Sequence, residues 1–352
     1  MRILSIDGGG LRGIIPGQVL VALETKLQQL SGDPNRRLAD AFDLIAGTST
    51  GGILTCLCLC PDPATGRPKF SAQEAVGLYL DRGREIFDRS FWQEVISVDG
   101  LAYEKYSASA LEKALKEYFG DQTLGRLLKP CLVTAYDIEN RKSHFFNSAD
   151  VEPQRFGLKW DSKGPGADFM LRQVARATSA APTYFEPARI SALDGKRYAL
   201  IDGGVFANNP TMCACVEAFA MNPELDVSDL KILSLGTGVV DKSYPYSEAK
   251  DWGELAWLKP ILDILMSGVA ETVDYQLRML MQGACCPEHY LRLQLDLKRF
   301  PSVDSEMDDG KPENLDALRK AGAALATESD AVLDAFAKLL LANPQAAVVT
   351  PS

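Results

Sequence analysis

The chain has 352 residues, 46% of them apolar and 24% charged, with 47 acidic against 37 basic side chains and a net charge of −10. That balance fits a globular enzyme of one large or two ordinary domains and excludes a disordered or fibrous chain. It also argues against nucleic-acid binding and against general adhesion to anionic membranes, which both need a basic surface, so a lipid-facing surface would work by apolar contact.

In chain order, Arg2–Ile6 reads as a short buried strand ended by Asp7 and three glycines. A helix follows from about Ile14 to Leu30, with Pro16 tolerated in its first turn and Val19, Leu20, Leu23, Leu27 and Leu30 along one face. Phe42–Ala46 is a second apolar strand, and a helix starts at the glycines after Ser49. Ser71 and Glu74 have capping-box spacing ahead of a helix to about Phe87, and another helix fits Ala108–Phe119, closed by Gly120. Cys131–Tyr136 and Ser143–Asn147 read as strands, Trp160–Gly166 as a loop and Phe169–Thr178 as a helix. Arg197–Ile201 and Lys231–Leu235 are short strands, each ending in glycines. A long helix covers about Ile261–Gln282, His289–Leu295 alternates like a strand, and Asn314–Ala323 and Ser329–Leu341 close the chain as helices before a loose end.

Strands alternating with helices imply an α/β fold: three layers, α/β/α, around a mainly parallel sheet. Sites in such sheets form at the carboxyl ends of strands, which here carry glycine turns. No apolar run reaches the roughly 20 residues of a membrane-spanning helix. The opening MRILSIDGGG is too short for a secretory leader, so residues 1–13 are expected to belong to the fold and the protein to be cytoplasmic. The eight cysteines include no CxxC pair and are expected to be reduced, with Cys56, Cys58 and Cys60 packing as small hydrophobes; no metal and no cofactor are expected.

Gly47-Thr48-Ser49-Thr50-Gly51 matches G-x-S-x-G, the strand-to-helix elbow that exposes a nucleophilic serine above a helix N-terminus. The competing reading is a glycine turn whose serine merely caps the helix. Asp7-Gly8-Gly9-Gly10-Leu11-Arg12-Gly13 fits either a dinucleotide fingerprint or an oxyanion hole of backbone amides. A dinucleotide site wants an acid at the carboxyl end of the next strand, whereas Asp43 stands at that strand's start. Arg12 would either place a positive charge beside the oxyanion or hold a carboxylate in the fold. In Ile201-Asp202-Gly203-Gly204, Asp202 is either a turn cap or the base for Ser49, and as a base it needs burial to raise its pKa. The only histidines are His144, inside a strand, and His289, late in the chain; a Ser49–Asp202–His289 triad is allowed by chain order.

Taken together, DGGGLRG (7–13), GTSTGG (47–52), VARATSAAPTYFEPA (174–188), LIDGGVFANNP (200–210) and KILSLGTG (231–238) resemble the patatin-like phospholipases, the lipid acyl hydrolases. The resemblance implies a patatin-like fold and a Ser–Asp dyad with no histidine. Carried over, Ser49 is the nucleophile, Asp202 its base, and Gly8, Gly9, Gly10 and Arg12 the oxyanion region, supported by Gly13, Gly47, Gly51, Gly203 and Gly204. It further implies a membrane phospholipid or other acyl-lipid substrate, met transiently at a membrane surface, and leaves a homo-oligomer and a small-molecule activator open. Residues 1–240 would form the catalytic core and 241–352 a mostly helical part packed on the same domain. In that part Trp252, Leu255, Trp257, Leu258, Ile261 and Leu262 suit a lid or interfacial helix, or ordinary packing. The acidic stretch DSEMDD (304–309) reads as solvated surface. The rival function is a nucleotide-binding regulatory module using the Gly8–Gly13 loop.

Overall fold

The computed structural model describes residues 1–86, 108–239, 243–304 and 306–342, and only the backbone at 254, 255, 258, 259 and 262. Phe87, Leu255, Leu258, Leu262 and the expected loose end therefore lie outside the described residues or side chains.

Eight strands form one sheet: β1 (Arg2–Ile6), β2 (Leu44–Thr48), β3 (Cys131–Asp137), β4 (Lys142–Asn147), β5 (Ala188–Ser191), β6 (Arg197–Asp202), β7 (Lys231–Leu235) and β8 (Tyr290–Leu293). The run β3-β2-β1-β7-β8 is parallel throughout, while β4 and β6 pair with β3 antiparallel and β5 pairs antiparallel with β6. β1, β2 and β7 are buried along their whole length, as strands covered on both faces must be.

The helices are α1 (Ile14–Ser31), α2 (Leu38–Ala41), α3 (Thr50–Leu59), α4 (Ala72–Ile86), α5 (Ala108–Phe119), α6 (Ser148–Val151) and α7 (Leu171–Thr178). They continue with α8 (Gly204–Ala207), α9 (Thr211–Met221), α10 (Tyr246–Ala249), α11 (Glu254–Gly283), α12 (Pro312–Glu328) and α13 (Asp330–Ala342). One face of the sheet is covered by a large apolar cluster that takes in α1, α3, α4, α12 and α13, and the other by a smaller one built on α9 and α11. This is the three-layer α/β/α arrangement.

Several elements differ from the sequence expectation. Leu30 is exposed in the last turn of α1, which Gly32 closes at φ 70. The long helix begins at Glu254, with Pro260 inside its first two turns. The acidic stretch is not simply solvated: Asp308 is buried, and the Met307 carbonyl accepts the Leu11 amide at 2.8 Å. Cys56, Cys58, Cys60 and Cys131 are buried thiols, and burial raises the pKa of all four.

Candidate active site

The site is organised by β3. One edge of this strand pairs with β4 from Leu132 to Asp137, so its other edge must serve both β2 and β6. Thr48, the last residue of β2, lies opposite Thr134; Asp202, the last residue of β6, lies opposite Ala135. Two strands running in opposite directions thus meet end to end on adjacent positions of a third. Ser49 leaves β2 and Asp202 leaves β6 at that meeting point.

Ser49 has φ 56 and ψ −120, a left-handed conformation that a residue with a side chain adopts at a strain of order 1–3 kcal/mol. The surroundings enforce it. Ser49 N–H donates to Thr178 Oγ1 at 2.8 Å, and that hydroxyl donates in turn to the Thr134 carbonyl at 2.7 Å. Its carbonyl accepts Ile53 N–H at 3.0 Å, starting α3 directly beneath. Cβ atoms at Gly47 and Gly51 would overlap the Gly51 and Ile6 carbonyls respectively, so the elbow closes only with glycine at both positions. At Gly203 a Cβ would overlap Thr134, which keeps the Asp202 turn close to β3.

Asp202 is buried, and burial pushes its carboxyl from 3.8 up to about 6. The Ser49 side chain and the Gly204 N–H, 2.7 Å from Oδ1, hold back part of that rise through hydrogen bonding. Among the described residues no cation counts among the causes of this shift. A carboxyl tuned close to neutrality and facing a serine hydroxyl is suited to accept a proton from it.

Neither histidine joins them. His144 pairs with Ala135 from the β4 side, two strand spacings or about 10 Å from Asp202. Its ring packs edge-on against Phe146, Phe169 and Tyr198, and burial lowers its pKa to about 4. His289 precedes β8, at the amino end of a strand three places from β2, whereas Ser49 follows the carboxyl end of β2. The triad allowed by chain order is excluded by this topology.

The glycine turn after β1 stands beside the serine: a Cβ on Gly8 would lie 3.2 Å from Ser49 Cβ. Its amides divide into two groups. Gly8 N–H donates to the Asn208 carbonyl at 3.0 Å and is occupied within the fold. Among the described residues, the Gly9 and Gly10 amides have no such intramolecular acceptor. Arg12 makes no ion pair among the described residues and its buried Nε has no partner, so it does not serve to hold a carboxylate. Burial lowers its pKa, while Asp263 of α11 pulls it back. Asp43 lies at the opposite end of β2, ion-paired with Arg2 at 2.6 Å and away from the glycine turn.

Three contributors were not assigned a role from the sequence. Thr178 fixes the elbow amide, Asn208 fixes Gly8, and Thr237 Oγ1 donates to the Gly8 carbonyl at 2.7 Å. All three sit inside the matched motifs, Asn208 and Thr237 in glycine-bearing ones, but a hydroxyl or amide holding backbone leaves no pattern of its own.

The patatin-like phospholipase family profile matches residues 4–214. Patatin-like protein 6 of Arabidopsis thaliana is 36% identical over 329 residues, which is 90% of this chain and 63% of that protein. Patatin-like protein 2 of Oryza sativa subsp. indica is 34% identical over 354 residues, covering 92% of this chain and 83% of the rice protein. Among solved structures, human GIVD cytosolic phospholipase A2 overlays with a TM-score of 0.47 at 14% identity, covering 97% of this chain and 60% of that one.

Proposed function

This chain belongs to the patatin-like phospholipase family, whose members are lipid ester hydrolases, and from that premise we propose a lipid acyl hydrolase working through a Ser49–Asp202 dyad. The observation that carries the reading is the pairing of a strained elbow serine with a buried carboxyl raised to about 6. Ser49 Oγ attacks the acyl carbonyl of the lipid as its proton passes to Asp202. The tetrahedral oxyanion is held by the Gly9 and Gly10 amides and the positive charge of Arg12. Collapse expels the lipid alcohol, which takes the proton from Asp202, and leaves an acyl-enzyme on Ser49. Water then attacks the acyl group, Asp202 accepts its proton and returns it to Ser49, and the fatty acid departs.

Substrate would arrive from a lipid surface. Trp257, Ile261, Ile264 and Leu265 are exposed along α11 at helical spacing. The same helix reaches the site through Met266, close to Gly204, and through Asp263, which acts on Arg12. Among the described residues no helix is long and apolar enough to cross a membrane. Incubation with liposomes of defined head groups, followed by lipid profiling, tests the reading. Wild type should release fatty acid and lysolipid, and Ser49→Ala should release neither. Equal profiles for the two proteins, or no acyl release from any head group, would overturn it.

A further inference from the structure

The backbone turn that presents Gly9 and Gly10 is held on both sides. Asp7 N–H donates to the Leu235 carbonyl at 2.9 Å and Gly8 N–H to Asn208 at 3.0 Å. Beyond the two glycines, Leu11 N–H reaches the Met307 carbonyl at 2.8 Å and Arg12 N–H the Gly9 carbonyl at 3.1 Å. The strongest hold is on the first side chain. Arg292 grips the Asp7 carboxylate with both terminal nitrogens, at 2.9 and 2.5 Å.

Arg292 lies on β8, far outside the family match, and is itself braced. It stands opposite Ser234 on β7, which stands opposite Ser5 on β1. Arg292 donates to Ser234 Oγ at 2.8 Å, and Thr211 Oγ1 lies 2.8 Å from both serine hydroxyls. This polar row crosses three strands in a layer otherwise packed with Ile3, Leu44, Ala46 and Ile232. A buried ion pair rarely adds stability over apolar side chains of the same volume, so its presence here calls for another reason. A two-pronged guanidinium–carboxylate contact fixes direction as well as position, which a point charge does not.

We propose that Arg292 is a positioning residue for hydrolysis: by fixing the Asp7 carboxylate it sets the peptide planes that follow, and so aims the Gly9 and Gly10 amides at the oxyanion. The proposal rests on the reading of this turn as the oxyanion hole. Misaimed donors weaken the transition state while leaving substrate binding intact, so the effect belongs in kcat and not in KM.

The experiment compares hydrolysis of a soluble short-chain ester by wild type, Ser49→Ala, Arg292→Lys and the double variant Asp7→Asn/Arg292→Gln, with thermal unfolding followed by circular dichroism. Arg292→Lys keeps the charge and loses the fork; kcat should fall about tenfold or more while KM stays within about twofold. The double variant removes both charges while keeping polar groups of similar size, and its kcat should stay low. Unchanged kcat in folded Arg292→Lys would overturn the proposal, as would an effect confined to KM. Wild-type kcat in the double variant would do the same, since Arg292 would then only neutralise Asp7. Loss of cooperative unfolding in both variants would make the contact structural and also overturn it. Wild-type activity that survives in Ser49→Ala defeats the parent reading first, and is recognised without touching Arg292.

Discussion

Asp7 and Asp202 each stand where a strand gives way to glycines, and both are almost fully buried, yet of the two only Asp7 is ion-paired among the described residues. Burial raises the Asp7 carboxyl, and the bidentate guanidinium of Arg292 offsets part of that rise. At Asp202 burial is opposed only by the Ser49 side chain and one backbone amide, and the carboxyl rises to about 6. The same three letters, DGG, therefore produce a fixed anchor on β1 and an adjustable proton acceptor on β6. What separates them is the partner across the sheet.

The comparison can be broken from either side. Asp202→Asn should lower ester hydrolysis by about a thousandfold or more, because Asp202 is the carboxyl that shares a hydrogen bond with the Ser49 side chain. It should not destabilise the protein. A carboxyl whose folded pKa lies above its unfolded value contributes stability that is complete below 3.8 and lost as pH rises through about 6. That loss is about 3 kcal/mol, and an asparagine avoids it. At pH 8 the variant should unfold at the wild-type temperature or above.

Asp7→Asn should behave in the opposite way. It leaves a buried Arg292 without its counter-ion, and about 3–5 kcal/mol of stability should go with it. A denaturant melt of the two variants side by side reads the contrast directly. Equal destabilisation of both would erase the distinction drawn here.

A smaller effect lies in the pH profile. kcat/KM should fall about tenfold per pH unit below about pH 6, as Asp202 becomes protonated and can no longer accept the Ser49 proton. His144, held near 4 by burial, should not set that limb, so His144→Phe should keep its position. His144→Phe and His289→Ala should each retain activity within about threefold, since neither ring reaches the dyad. Displacement of the limb in His144→Phe would return a histidine to the mechanism.

β1, β2 and β7 were legible because each is a short apolar run followed within three residues by glycine, after Ile6, Thr48 and Leu235. Ser49 and Asp202 were legible for the same reason, since close backbone approach at Gly47, Gly51 and Gly203 leaves a visible trace. The meeting of β2 and β6 on one edge of β3 was not, because strand pairing is a tertiary property that no local pattern carries. β5 and α9 were missed as well: Ala188–Ser191 is only four residues long, and α9 follows the Asn208-Asn209-Pro210 turn with apolar residues on more than one side. The DSEMDD stretch misled because its role runs through the Met307 carbonyl, and a backbone acceptor is the same whatever side chain it carries. The acceptor of the Gly8 amide was not legible for a related reason: it lies 200 residues away in Asn208.

The most direct test of the dyad is the rate of short-chain ester hydrolysis by Asp202→Asn between pH 5 and 9, beside its unfolding midpoint. The account predicts a rate about a thousandfold below wild type at every pH, with a midpoint equal to or above that of wild type. A rate within about tenfold of wild type in the folded variant would contradict it.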